Sequence, residues 1–476
     1  MAQIKIPYNE IDFLIPSYRF NIRFSYITKR GLPFIREFVL RLVHLSPMKP
    51  EEISEYLGLT EREAKEALRD LIERDELAYN ELGQVALTSK ASGYFTDLGA
   101  SPQVSDVLTT GTVVGFEATA FNCVSSNDVR LNDKWNCGIR IDPKSEVVAN
   151  RNKLAEKAFQ NQFYSLLDKG FLKNLRDSEG SGRPNIYKID SVKQIAQEPL
   201  RLKLNFVMNE NGMSIERDDI EQLKDDSIAQ DAITEALFRH SGSNNLADII
   251  QAIECFRDVH SGSLVDEQGF NVSKFLVLSQ SQEAQSGKFI PFVGPIYTEA
   301  NWRLFTEQVE SVKKKLVGSH QEGLKALNWL APSTEFWGRN NKTSNCFNEL
   351  VNGAKTKGKK AKTLYKPTLI LPLNSINDKF NKNRWKDDFS TNIENVDAYV
   401  EGFHSGVVEV LLLENELVAV TYHLNLPDIY QVTLPFGFIS NNKELIKNVF
   451  VETEGYLSSL NYFENKKHLG PISKLV

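Results

Sequence analysis

The chain has 476 residues, 41% of them hydrophobic and 25% charged, with a formal net charge of −6 at pH 7. Those proportions belong to a soluble globular protein of about three domains, taking roughly 150 residues per domain, and they exclude a fibrous or wholly disordered chain. No apolar run reaches the 18 or so residues that a membrane-crossing helix requires.

The first sixteen residues, MAQIKIPYNEIDFLIP, carry acids and prolines where an export signal needs a clean apolar core, so export is not expected. Cys123, Cys137, Cys255 and Cys346 stand far apart, and none belongs to a C-x-x-C pair. Neither a zinc knuckle nor a redox motif is implied, and scattered thiols fit the reducing cytoplasm.

In chain order, the apolar residues of Tyr18–Tyr26 alternate with polar ones and predict a strand, broken by Gly31-Leu32-Pro33. Helical spacing then predicts Phe34–Leu45, a short Pro50–Leu57 opened by Pro50, and Glu61–Arg74. Thr60 and Glu63 stand at capping-box spacing before the third helix. Leu77–Tyr79 and Val85–Leu87, joined by a turn at 80–83, complete a hairpin. The order and spacing of these parts over 33–92 resemble a winged helix-turn-helix domain. The resemblance implies DNA contact through the third helix, but that helix offers Glu61, Glu63 and Glu66 beside Arg62 and Lys65. With eight basic and twelve acidic residues over 33–92, the module is better suited to docking a protein than to approaching phosphates.

Strand-like runs follow at Thr112–Ala120 and Cys137–Ile141, then an amphipathic helix at Arg151–Asp168. Gly170–Lys173, a polar turn at 177–184 and Ile186–Ile189 suggest either a plain helix–hairpin with surface lysines or a second helix with a wing, whose cations Lys173, Arg176 and Arg183 would suit phosphates. Helices are expected at Asp219–His240, Leu246–Phe256, Glu299–Val317 and Glu322–Leu330. Strands are expected at Leu364–Leu371, Val407–Leu413, Leu417–His423 and Tyr430–Leu434, before a last helix at Lys443–Ser459. The reading is an α+β multidomain chain: an N-terminal arm with the winged helix (1–100), a helix and hairpin domain (101–200), an acidic, mainly helical region (201–312) and a basic C-terminal α/β domain (313–476).

Charge is distributed unevenly. Residues 201–312 hold eighteen Asp/Glu against nine Lys/Arg, whereas 313–386 hold sixteen Lys/Arg against four acids. Trp329, Phe336, Trp337, Tyr365, Phe380 and Trp385 lie among those cations. Cations release counterions from phosphates and rings stack on bases, so this mixture points to nucleic acid, double-stranded DNA in particular. The expected contacts are Lys313, Lys314, Lys315, Arg339, Lys342, Lys355, Lys357, Lys359, Lys360, Lys362, Lys366, Lys382, Arg384, Trp385 and Lys386.

Phosphate-loop, dinucleotide, zincin and nucleophile-elbow signatures are missing, so no cofactor or metal is expected. A metal site assembled from Glu401, Glu409 and Glu414 is an alternative that sequence does not exclude. Residues 403–425, from Phe403-His404-Ser405-Gly406 through Thr421-Tyr422-His423-Leu424-Asn425, resemble the second half of a phospholipase-D-like domain. That resemblance implies a catalytic role for His404. Gly406, however, stands where the family's phosphate-gripping Lys belongs, and Leu411 where its Asp belongs. A winged helix joined to such a decayed half resembles proteins of bacterial antiviral defence. The expectation is therefore a non-enzymatic, sequence-independent DNA-binding adaptor subunit, with a degenerate nuclease or a transcription regulator as alternatives.

Overall fold

The computed structural model describes residues 5–30, 34–98, 100–173, 175, 183–215, 227–318, 324–356, 362–460 and 465–475. The chain divides into two compact units, one of residues 17–131 and 144–197, the other of 1–16, 132–143 and 198–476. The elements up to residue 208 are β1 (Ile6–Arg30), α1 (Phe34–Leu45), α2 (Pro50–Leu57), α3 (Glu61–Glu73), β2 (Leu77–Tyr79), β3 (Val85–Leu87), α4 (Ser89–Ser92), β4 (Val104–Glu117), β5 (Cys123–Ser126), β6 (Ile139–Arg140), α5 (Ser145–Asp168) and β7 (Asn185–Met208).

In the smaller unit, α1, α2 and α3 pack with the β2–β3 hairpin around Val39, Leu40, Val43, Ile53, Leu68, Leu71, Leu77 and Val85. Local chemistry sets the boundaries. Pro50 opens α2, Gly58 ends it in the left-handed conformation at φ 64°, and Thr60 and Glu63 cap α3 reciprocally. The second part of β1 pairs antiparallel with β4, from Ser17↔Glu117 onward. On this sheet α5 lays Ala155, Phe159, Phe163 and Leu166 against Phe20, Phe24 and Phe116. The second wing does not form. Residues 170–173 are a turn, and Ile186–Ile189 open the long strand β7, which pairs with β1. Backbone donors in β7 are taken by a strand far away in sequence, which no local pattern announces.

The larger unit continues with α6 (Ser227–His240), α7 (Leu246–Phe256), β8 (Val265–Asp266), β9 (Gly269–Phe270), α8 (Val272–Ser279), α9 (Gln282–Gln285), β10 (Ile290–Val293), α10 (Glu299–Gly318), β11 (Lys325–Leu330), α11 (Asn341–Gly353), β12 (Tyr365–Leu373), α12 (Lys379–Asp388), β13 (Val396–Val400), β14 (Val408–Leu413), β15 (Leu417–Leu424), β16 (Leu434–Ser440), α13 (Lys443–Ser458) and β17 (His468–Pro471). Its sheet runs β10-β16-β15-β14-β11-β12-β13-β17. Strands β14, β15 and β16 are buried along their whole length, as strands covered on both faces must be. Helices α10, α11 and α12 bury Trp302, Phe305, Phe347, Leu350 and Trp385 against Trp329, Leu369, Leu371 and Leu411.

Three expectations change here, the first being the strand at Tyr430–Leu434: β16 begins only at Leu434 and runs to Ser440. The helix expected at Glu322–Leu330 does not form in its described part: Lys325–Leu330 form β11, held between β12 in parallel and β14 in antiparallel register, while 322 and 323 lie outside the described residues. The expected boundary at 312 also disappears, because β10 pairs with β16 and so places both sides of it in one sheet. Among the described residues no helix is long and apolar enough to cross a membrane.

Candidate functional site

Strands β11, β12 and β13 run parallel, and a helix precedes β11 and β12 directly. The C-terminal ends of α10 and α11 therefore meet the amino ends of β11 and β12 at one end of the sheet. Register places Lys366 beside Ala326 and Tyr365 beside Lys325. At this end Lys314, Lys315, Lys355, Lys362 and Lys366 are exposed, and among the described residues none of them forms an ion pair. Helix C-termini favour cations, which accounts for the lysines ending α10 but not for those at 355–366. The loop base is tied by backbone bonds between Thr356 and Lys362 and between Ala354 and Leu364. Lys357, Lys359 and Lys360 lie outside the described residues. Three neighbouring lysines are already engaged: Lys313 with Glu310 at 2.5 Å, and Lys325 and Lys443 with Glu416 at 2.7 and 3.6 Å.

Of the remaining cations of the basic segment, Lys379 is exposed at the start of α12, and most of the others are engaged or buried within the fold. Arg339 pairs with Glu335 at 3.1 Å and donates to its carbonyl, and Lys342 bonds Glu10 at 2.5 Å. Arg384 stacks on Trp385 at 4.1 Å and faces Asp388 at 3.5 Å. Burial, reinforced by the charge of Arg339, pushes its guanidinium down to about 10. Lys382 is buried and Lys386 half-buried. Trp385 is only 4% exposed and donates its indole N–H to the Pro372 carbonyl, so it has no face for a base. Trp329, Phe336, Trp337 and Tyr365 are likewise core residues. Of the rings expected to stack, Phe380 alone, at 80% exposure, is outside. In the smaller unit Lys173 pairs with Asp128 at 3.3 Å and Arg183 with Asp168 at 2.5 Å, while Arg176 lies outside the described residues.

The loops after β11, β12 and β13 form the opposite rim. There Glu335 takes hydrogen bonds from His240 and Arg339, which hold its carboxyl down to about 2. Glu401 is raised, by burial first and then by Asp378 and Glu335. The turn after β13 is strained: Gly402, His404, Ser405 and Gly406 have φ of 111°, 44°, 55° and 80°. Ser405 donates to Asp248 at 2.8 Å. The His404 ring packs against Phe256 and Phe403 at 4.8 and 4.5 Å, and burial lowers its pKa. A Cβ on Gly406 would stand 2.8 Å from that of Ser333, leaving no space for a lysine stem, and Leu411 is fully buried.

The acids Glu401, Glu409 and Glu414 do not converge. Glu401 follows β13 at the rim, Glu414 accepts from Ala326 N–H at the other end, and Glu409 is internal. Among the described residues no group of three His, Cys, Asp or Glu is placed to hold a metal ion. Sequence reasoning missed what surrounds Glu409. Its Oε1 accepts the indole N–H groups of Trp329 and Trp337, both at 2.8 Å, and His423 Nε2 lies 3.2 Å from its Oε2. A lone carboxylate in Val-Glu-Val-Leu-Leu-Leu was the available signal, since a buried acid must find donors.

The α3 cations Arg62, Lys65 and Arg69, and Arg74 just past its end, each pair with an acid one turn away. Phe34, Ile35, Phe38, Tyr56, Tyr79 and Leu82 are exposed on the same helical module. Comparison with protein-family models, curated proteins and solved structures found no match.

Proposed function

We propose that the chain is a non-enzymatic subunit of a larger assembly, one that holds DNA by its phosphates without reading sequence. The observation that carries this reading is the set of five exposed, unpaired lysines gathered at one end of the larger unit's sheet. Lysine ammonium groups are compact point charges on flexible stems, suited to phosphates rather than to bidentate base readout. We read residues 33–92 as a winged helix with α3 as a docking element: its cations pair with its own acids one turn away and are poorly placed to meet phosphates. The partner's chemistry follows from complementarity. A surface with an apolar centre and a basic rim fits the module's exposed Phe34, Ile35 and Phe38 and its acidic excess. The resemblance to winged-helix proteins with a decayed nuclease half supports a place in bacterial defence.

A non-catalytic role agrees with His404 packed between two phenylalanines and with no cation at position 406. The test is a fluorescence-anisotropy titration of the full chain with duplexes of unrelated sequence, followed by a cleavage gel with Mg²⁺. Equal, salt-sensitive affinities without cleavage are expected. Cleavage that disappears in His404→Ala would replace this reading with the nuclease.

A further inference from the structure

Among the described residues, the lysine end offers charge without exposed aromatic rings, and this bears on which form of nucleic acid it holds. Proteins that grip single strands pair a basic groove with aromatic side chains on which unstacked bases lie, each such contact worth about 1–3 kcal/mol. The rings of the basic segment are committed elsewhere. Trp329, Trp337, Tyr365 and Trp385 are all under 5% exposed, and the Trp329 and Trp337 indoles are fastened to Glu409. The exposed ring, Phe380, sits in the first turn of α12, just after β12, at the opposite end of the sheet from the lysines. Among the described residues, the lysines at that end are ammonium groups on a fixed frame, beside the exposed Glu394 that precedes β13. Lys314 and Lys315 end α10, Lys355 and Lys362 flank a loop base held by backbone bonds, and Lys366 is fixed by the β11–β12 register. Duplex DNA carries one charge per roughly 1.7 Å of its axis, and its phosphates are already ordered; a single strand must be ordered on binding and, among the described residues here, finds no exposed aromatic ring to repay that cost.

We propose that the lysine end of the sheet is a duplex-selective phosphate grip: it binds double-stranded DNA in preference to single strands of the same length. This rests on the nucleic-acid reading above, and the experiment separates the two. The full chain is titrated with a labelled random duplex of about 30 base pairs and with oligo-dT of the same length, at about 100 mM salt, while tryptophan fluorescence is followed. The expected result is a duplex affinity at least about ten-fold above that for oligo-dT, with tryptophan emission unchanged. Lys355→Gln/Lys362→Gln/Lys366→Gln should remove that preference. Equal or tighter binding of oligo-dT overturns the duplex preference while leaving nucleic-acid binding intact. Failure of both ligands to bind even at about 50 mM salt removes the underlying reading as well.

Discussion

Replacing Lys355, Lys362 and Lys366 with Gln tests the phosphate grip quantitatively. If each of the five exposed lysines at the end of the sheet meets one phosphate, the log–log salt slope for duplex DNA should be about −4.5. Raising salt from about 50 to 200 mM then weakens binding roughly 500-fold. With three lysines neutralised the slope falls to about −1.8, and the same change in salt costs only about 12-fold. The side chains are exposed and unpaired, so thermal unfolding should not move beyond the small range typical of surface substitutions. Anisotropy titrations of both proteins at four or so salt concentrations give the slopes. A triple variant that keeps the wild-type slope would show that these lysines touch no phosphate.

Other consequences follow from the interior and the rim. Trp385→Ala should cost about 3–5 kcal/mol in denaturant unfolding, because it empties a core position; unchanged stability with lost DNA affinity would restore the ring as a base-stacking residue. Glu409→Leu should cost about 2–5 kcal/mol by leaving two buried indole donors and His423 unpartnered, and Glu409→Gln less, since an acceptor remains; similar costs for both would contradict the hydrogen-bond account. Glu335 has a folded value of about 2 against an ordinary 4.5, so its contribution to stability is present above about pH 4.5 and is lost as pH falls toward 2. Unfolding curves of Glu335→Gln should be flatter than wild type over that window, and parallel curves would refute the assignment. Gly406→Ala combines φ of 80° with a clash against Ser333 and should destabilise by about 1–3 kcal/mol; a neutral result would mean the turn relaxes freely.

The parts of this fold that were legible in the sequence are those written locally. Thr60 and Glu63, Pro50 and Gly58 mark ends that hydrogen bonds within a few residues enforce, so α1, α2, the start of α3 and both hairpin strands fall where periodicity places them. Helices α7 and α13 are legible for the same reason. Strand β11 was not, because Lys325–Leu330 is a short apolar run whose state is decided by β12 and β14, some 40 and 85 residues away in the register. The interleaved aromatics misled in a related way. Neighbouring side chains diverge, by about 180° in a strand and about 100° in a helix, so a sequence that mixes Trp and Lys is equally the pattern of a buried face beneath a charged one. Trp329 and Trp385 are the first kind, Lys366 the second. The basic segment likewise divides by direction: the parallel strands and the helices before them put Lys314, Lys315, Lys355, Lys362 and Lys366 at one end, and Arg339 and Arg384 at the other, beside Glu335 and Asp388.

The most direct test of the account is a competition experiment. A labelled random duplex bound to the full chain at about 50 mM salt is challenged with unlabelled duplexes of unrelated sequence. The account requires that every sequence competes equally, within about two- to three-fold, and that each loses its hold steeply as salt rises. One sequence competing orders of magnitude better than the rest would instead make this a sequence-reading regulator and contradict the phosphate grip.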